Sequence, residues 1–137
     1  MPLHQERSRS GLIYVVDDEA IIASTLAEII KIHGFDARHF TNSREALEAA
    51  RLLAPDILLS DLLMPEMTGL ELALQVSQLR PECKMILLSG QTGTADLLER
   101  AREGGLRIEV LTKPLHPKTL VENVKRLLFT PAAAAND

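Results

Sequence analysis

The stretch Leu12-Ile13-Tyr14-Val15-Val16-Asp17-Asp18-Glu19 decides how the rest of this chain reads. An unbroken apolar run with β-branched residues stops abruptly at three acids, as expected of a strand buried on both faces whose carboxyl end meets water. Just beyond it, Ile22, Leu26, Ile29 and Ile30 recur at helical spacing, and His33-Gly34 reads as a helix end with its left-handed cap. The same alternation continues outward. A weaker strand over 35–40 precedes a helix that Thr41, Asn42 or Ser43 would cap, with Ala46, Leu47, Ala50 and Leu53 on one face and Pro55 closing it. A third strand over 57–60 ends at Asp61, residues 62–69 read as a loop, and a helix over 70–79 stops at Arg80-Pro81. A fourth strand over 84–88 leads through a Gly-rich turn at 89–93 to a helix over 95–103, with Thr94 as its cap and Gly104-Gly105 as its end. A fifth strand spans 108–111, and Pro117 opens a last helix striped by Leu120, Val124, Leu127 and Leu128. Strict strand-helix alternation with short apolar strands predicts an α/β fold, a doubly wound parallel sheet covered by helices on both faces.

Composition narrows the function classes. With 137 residues, 46% of them hydrophobic and 25% charged, the chain has room for one domain with an adequate core. We expect that domain over 11–129, with 1–10 and 130–137 as flexible ends. Fifteen Lys and Arg against nineteen Asp and Glu give a formal charge of -4, so no overall positive field exists to hold nucleic acid or an anionic membrane. Cys83 is the single cysteine, which excludes an internal disulfide and a multi-thiolate zinc site and leaves a small packing residue. The first eleven residues lack the apolar stretch of a signal peptide, and no apolar run reaches the ~18 residues of a membrane span, so a cytoplasmic location is expected.

In open parallel α/β sheets, ligands bind beyond the carboxyl ends of the strands. That edge collects Asp17 and Asp18 after the first strand, Asp61 after the third, Ser89 after the fourth and Lys113 just past the fifth. Three carboxylates brought close together repel by roughly 1 to 4 kcal/mol per pair unless a proton or cation neutralises them. Oxygen donors without clustered His or Cys suit Mg²⁺ or Mn²⁺. Lys113 adds an ammonium and Ser89 a hydroxyl, which suit the oxygens of a phosphoryl group. Each feature alone has a plainer explanation: an Asp pair caps a helix, Ser-Gly makes a turn, Lys-Pro makes a surface loop. Independent caps and turns have no reason to share one edge with complementary charges, so the conjunction carries the argument.

With those residues in place, the sequence resembles the receiver domain of two-component response regulators, in the stand-alone, chemotaxis-regulator-like form. The resemblance rests on Val15-Val16-Asp17-Asp18-Glu19, Asp61-Leu62-Leu63-Met64-Pro65-Glu66-Met67-Thr68-Gly69-Leu70-Glu71-Leu72, Leu87-Leu88-Ser89-Gly90 and Leu111-Thr112-Lys113-Pro114, in order and at familiar spacing. It implies a flavodoxin-like five-stranded sheet of order 2-1-3-4-5 flanked by five helices. It implies that Asp61 accepts a phosphoryl group from a histidine kinase or histidine phosphotransfer protein. Asp18, Asp61 and the backbone carbonyl of Leu63 would ligate Mg²⁺, with Asp17 acting through water and Mn²⁺ as a substitute. Ser89 and Lys113 would grip the phosphoryl oxygens, and the Lys113-Pro114 bond would be cis. Such a protein is a switch rather than an enzyme, catalysing only its own phosphorylation and dephosphorylation. Its output is a downstream protein target, without direct nucleic-acid or membrane binding, and homodimerisation is left open.

The departures from the family pattern are as informative. Where many receivers carry an aromatic switch three residues before the lysine, this chain has Val110, so a swinging ring cannot report phosphorylation. The stretch from Gly105 to Lys113 is one residue longer than usual. Signal exit through displacement of residues 89–94 is the expectation that follows. Leu63 places an apolar side chain two residues after the acceptor and Gln91 stands two after Ser89; Leu63 is expected either to shield the acyl phosphate from water, slowing its loss, or simply to pack locally. His4, His33, His39 and His116 lack ligand spacing, and Arg100, Arg102, Lys125 and Arg126 read as solvated helix faces. Two other readings compete. A phosphorylation-independent docking module conflicts with the retained Asp17, Asp18, Asp61, Ser89 and Lys113. An Asp-nucleophile phosphatase or other small hydrolase conflicts with the adjacent Asp17-Asp18 pair and the short chain.

Overall fold

The computed structural model describes residues 11–90 and 95–129. The expected turn at 91–94, the Thr94 cap, Gln91 and both chain ends lie outside the described residues. Strands β1 (Leu12–Val16), β2 (Asp36–Phe40), β3 (Ile57–Asp61), β4 (Lys84–Ser89) and β5 (Ile108–Thr112) alternate with helices α1 (Ala20–Ile32), α2 (Ser43–Leu52), α3 (Gly69–Leu79), α4 (Ala95–Glu103) and α5 (Pro117–Leu128). All strand pairs are parallel, in the order β2-β1-β3-β4-β5. This is the doubly wound parallel sheet that the alternation predicts, in the flavodoxin-like order that the resemblance implies.

Strand β3 runs two residues past its apolar stretch, to Asp61, and β4 and β5 each run one, to Ser89 and Thr112. Strand pairing is a property of the backbone, and the register pairs Asp61 with Leu88 and Ser89 with Thr112 after the side chains have turned polar. Asp61 and Ser89 are therefore held by the sheet rather than by loops. At β2 the difference runs the other way: Phe35 is buried in the turn, its N–H donating to the Ile30 carbonyl, and the strand begins at Asp36.

Two apolar cores flank the sheet. Tyr14, Val16, Leu58, Met85 and Leu87 point to the face covered by Ala46, Leu47 and Ala50 of α2, Leu72, Ala73 and Val76 of α3 and Ala101 of α4. Ile13, Val15, Ile57, Leu59, Ile86 and Leu88 point to the opposite face, under Ala23, Leu26, Ala27 and Ile30 of α1 and Leu120, Val124 and Leu127 of α5. Cys83 is a buried packing residue whose thiol burial pushes up to about 12, so it is inert at neutral pH. At the amino edge of the sheet, Asp56 accepts from the Leu12 N–H at 2.7 Å and pairs with Arg80 at 2.8 Å, fixing β1, β3 and the end of α3 to one another. Two of the histidines make local backbone contacts: His33 Nδ1 meets the Ile29 carbonyl at 2.9 Å, and His116 Nδ1 accepts from Lys118 N–H at the start of α5. Arg126 is not a freely solvated base, since it forms a forked pair with Glu109 at 2.7 and 3.2 Å.

Helix α3 begins one residue earlier than its apolar pattern suggests, because Thr68 and Glu71 form a reciprocal capping box. Immediately before it, Glu66 adopts φ 69, the left-handed region that an L side chain enters at a cost. Glu66→Gly is expected to raise stability by about 0.5 to 1 kcal/mol in urea denaturation, relief of strain exceeding the added freedom of the unfolded chain. The exposed Arg44–Glu66 contact at 3.9 Å is too long and too solvated to offset that gain. A variant less stable than the parent would show that the Glu66 backbone is not strained in solution.

Candidate functional site

The carboxyl edge of the sheet brings Asp17, Asp18, Asp61, Ser89 and Lys113 together. Asp17 extends the β1–β2 ladder by one residue, its N–H donating to the Phe40 carbonyl at 3.1 Å. Its side chain is 1% exposed, with Oδ1 accepting the Glu19 N–H at 2.9 Å just ahead of α1. The helix-cap explanation for the acid pair is thus only partly met: Glu19 holds the N-cap position of α1 without a side-chain cap, and Asp18 is exposed beside it. Asp61 closes β3, buried, and its Oδ1 accepts weakly from the Leu63 N–H at 3.4 Å.

Lys113 enters from β5, where its N–H donates to the Ser89 carbonyl at 3.0 Å and its peptide bond to Pro114 is cis. Its Nζ reaches Asp61 Oδ2 at 3.0 Å and lies 3.6 Å from Asp17 Oδ2. One ammonium thus bridges two of three clustered acids. Burial lowers the Lys113 pKa, but the hydrogen bond to Asp61 and the charges of Asp17 and Asp61 outweigh it and raise the pKa above the ordinary value. Asp17 is also raised, chiefly by burial and further by Asp61 and Asp18, against the lowering pull of the Glu19 amide and Lys113.

A hard divalent cation fits these residues. Asp17, Asp18 and Asp61 each offer a carboxylate oxygen, and these oxygens lie within 4.8 Å of one another. Asp17 Oδ2 is buried and accepts no hydrogen bond. A buried acid oxygen that accepts no hydrogen bond and shares one ammonium with Asp61, beside two further carboxylates, marks a place where a single positive charge does not balance the acids. Ser89 is buried at the end of β4, and Leu63 is 48% exposed at the rim. Val110 is half-buried on β5, packed against the core beneath α2, α3 and α4, so the expected aromatic position is filled by a small aliphatic group.

The family model for the response regulator receiver domain matches residues 13–125. The chain belongs to the response regulator receiver family. Over 116 residues the receiver is 32% identical to chemotaxis protein CheY of Thermotoga maritima, covering 84% of this chain and 95% of that one. It is 33% identical to the DNA-binding response regulator MtrA of Mycobacterium tuberculosis, of whose length it spans 50%. Among solved structures, chemotaxis response regulator CheY4 of Vibrio cholerae superposes with a TM-score of 0.74 at 26% identity, covering 85% of this chain and 97% of that one. The receiver is therefore a component of two-component signalling, in a family typically without enzymatic output, whose members exchange signals with kinases and downstream targets. No helix among the described residues is long and apolar enough to cross a membrane.

Two residues that shape the site escaped the sequence reading. Gly69 packs so tightly under Asp61 that a Cβ there would stand 2.2 Å from the Asp61 carbonyl oxygen. Ser43, read only as a helix cap, reaches the segment after Asp61 instead, donating to the Met67 carbonyl at 2.9 Å. A glycine between Thr68 and Leu70 was the one available signal for the first. Nothing local signals the second.

Proposed function

We propose that the receiver, as one unit over residues 11–129, is a cytoplasmic switch that takes a phosphoryl group from a phosphohistidine donor onto Asp61 and thereby changes its affinity for a protein partner. The observation that carries this reading is the Lys113–Asp61 pair beside a buried Asp17 oxygen that accepts no hydrogen bond: one nucleophilic carboxylate, one ammonium and further acid oxygens converge at a single edge. Transfer forms a bond between an Asp61 carboxylate oxygen and phosphorus as the phosphorus–nitrogen bond of the donor breaks, and the imidazole departs with its electron pair. Such transfer needs alignment and charge neutralisation more than covalent machinery. Asp18, Asp61 and the Leu63 carbonyl would hold Mg²⁺, or Mn²⁺ in its place, with Asp17 acting through water. When bound, the ion supplies neutralising charge to the phosphoryl oxygens. Lys113 holds the acceptor carboxylate in place beforehand and receives a phosphoryl oxygen afterwards, and Ser89 donates its hydroxyl to another. With Val110 in the aromatic position, no swinging ring at that position reports the switch to the partner.

Incubation with acetyl phosphate and Mg²⁺ tests the reading. A stoichiometric, alkali-labile phosphate on Asp61, absent in Asp61→Asn, is expected. No labelling at all would make the chain a phosphorylation-independent docking module, and continuous release of phosphate from phosphomonoesters would make it a hydrolase. Leu63 then sets the lifetime: its apolar side chain shields the acyl phosphate, so Leu63→Asn is expected to speed phosphate loss several-fold, followed as decay of the labelled protein. An unchanged lifetime would leave Leu63 with local packing alone.

A further inference from the structure

Residues 62–68 contain the Leu63 carbonyl that the proposed cation site uses, so whatever fixes this segment bears on that site. The segment is short and contains the left-handed Glu66, so it must be held against relaxation. Part of the hold is local: Gly69 N–H donates to the Leu62 carbonyl at 2.9 Å and Met67 N–H to the Pro65 carbonyl at 2.7 Å. At its start the sheet holds it, through Leu62 N–H and the Leu88 carbonyl at 3.0 Å. Near its end the tie comes from a different layer. Ser43, the first residue of α2 and 2% exposed, donates its hydroxyl to the Met67 carbonyl at 2.9 Å, with Met64 Sδ 4.0 Å away. Helix α2 does not need that hydroxyl for its own start, because Asn42 Oδ1 already accepts the Glu45 N–H at 2.8 Å. A buried hydroxyl that is superfluous as a cap and spans 24 residues to a loop carbonyl serves the loop.

We infer that Ser43 is a positioning residue for the cation site: through Met67 it holds residues 62–68 in the shape that presents the Leu63 carbonyl. The inference rests on the functional reading above. It makes helix α2, which packs against β1, β2 and α3, part of the metal-binding apparatus, although Ser43 itself would supply no ligand.

Calorimetric titration of the full chain with Mg²⁺ alone, beside thermal unfolding in EDTA, tests it. Ser43→Ala is expected to weaken Mg²⁺ binding about three- to tenfold, the range a single buried hydrogen bond supports. Amide exchange at 63–67 in EDTA is expected to accelerate while that of the α2 interior stays unchanged. Ser43→Gly removes the same hydroxyl and gives the same reading should Ser43→Ala not fold. A variant that melts earlier but binds Mg²⁺ within twofold of the parent overturns the inference alone, since Ser43 is then only a packing residue. A parent protein that binds no Mg²⁺ overturns the functional reading and this inference together.

Discussion

Gly69→Ala is expected to destabilise the receiver by about 3 kcal/mol, at the upper end of overpacking penalties, and to lower the thermal midpoint by about 10 °C. The added Cβ would meet the Asp61 carbonyl oxygen at 2.2 Å and the Asp61 carbonyl carbon and Ser60 Oγ at 3.0 Å. Two of those three atoms are backbone of a central strand, which cannot rotate away as a flexible side chain would. Relief must come from moving α3 off the sheet or shifting the end of β3, and the second displaces the proposed phosphoryl acceptor. Labelling by acetyl phosphate should therefore fall further than the lost folded fraction explains. Gly90→Ala is the control, because its nearest neighbour is Lys113 Cδ at an ordinary 3.7 Å. It is expected to stay within about 0.5 kcal/mol of the parent. Equal stability of the Gly69 and Gly90 variants would mean that α3 yields without effort and that the close approach has no energetic weight.

Lys113→Met is expected to cost about 2 kcal/mol at neutral pH in EDTA, less than a fully buried pair because the lysine side chain is 28% exposed. Its phosphoryl uptake should fall at least about a hundredfold, the scale of losing one electrostatic stabiliser of the transferring group. Removing the ammonium leaves three carboxylates with oxygens within 4.8 Å. At an effective dielectric of 20, each such contact costs about 3 kcal/mol before solvent screening. Added Mg²⁺ should recover much of the lost stability. Asp17→Asn should shift stability the opposite way, by about 1 kcal/mol, since it removes like-charge repulsion and a buried charge while keeping an acceptor for the Glu19 amide.

The pH dependence follows from the same two groups. Burial holds Asp17 above its ordinary 3.8, so the folded state binds this proton more readily than the unfolded chain does. Stability from Asp17 is greatest in acid and declines as pH rises from 3.8 through the folded-state value. Lys113, raised above 10.5, contributes fully below that pH, and the contribution is lost as pH rises through its folded-state value. Urea denaturation from pH 3.5 upward should show the acid-side decline weakened in Asp17→Asn. An Asp17→Asn protein less stable than the parent in EDTA at neutral pH would mean that the Lys113–Asp17 attraction dominates the site.

Most of the architecture was legible from hydrophobic period alone. Runs such as Leu12–Val16 and Ile57 to Ser60 are too short for helices and too continuous for a half-exposed sheet, and the helical stripe Leu120, Val124 and Leu127 is buried as its spacing requires. Because each strand's pattern breaks where its carboxyl end reaches water, Asp17, Asp61, Ser89 and Lys113 were legible as one edge before their distances were known. The Val110 substitution was equally visible, being a matter of which residue occupies a register position.

What the sequence by itself determined is therefore which face or edge of its own element each residue occupies, a local property set by backbone period. Tertiary structure alone decided which residues from different elements meet. Lys113 bridges to Asp61 from 52 residues away, Asp56 to Leu12 from 44 and Ser43 to Met67 from 24, and no local pattern encodes those pairings. They arise because right-handed crossovers bring distant strand ends and helix starts together at the two edges of the sheet; at the carboxyl edge the packing distance of α3, set by the missing Cβ of Gly69, fixes how tightly the acceptor strand is held.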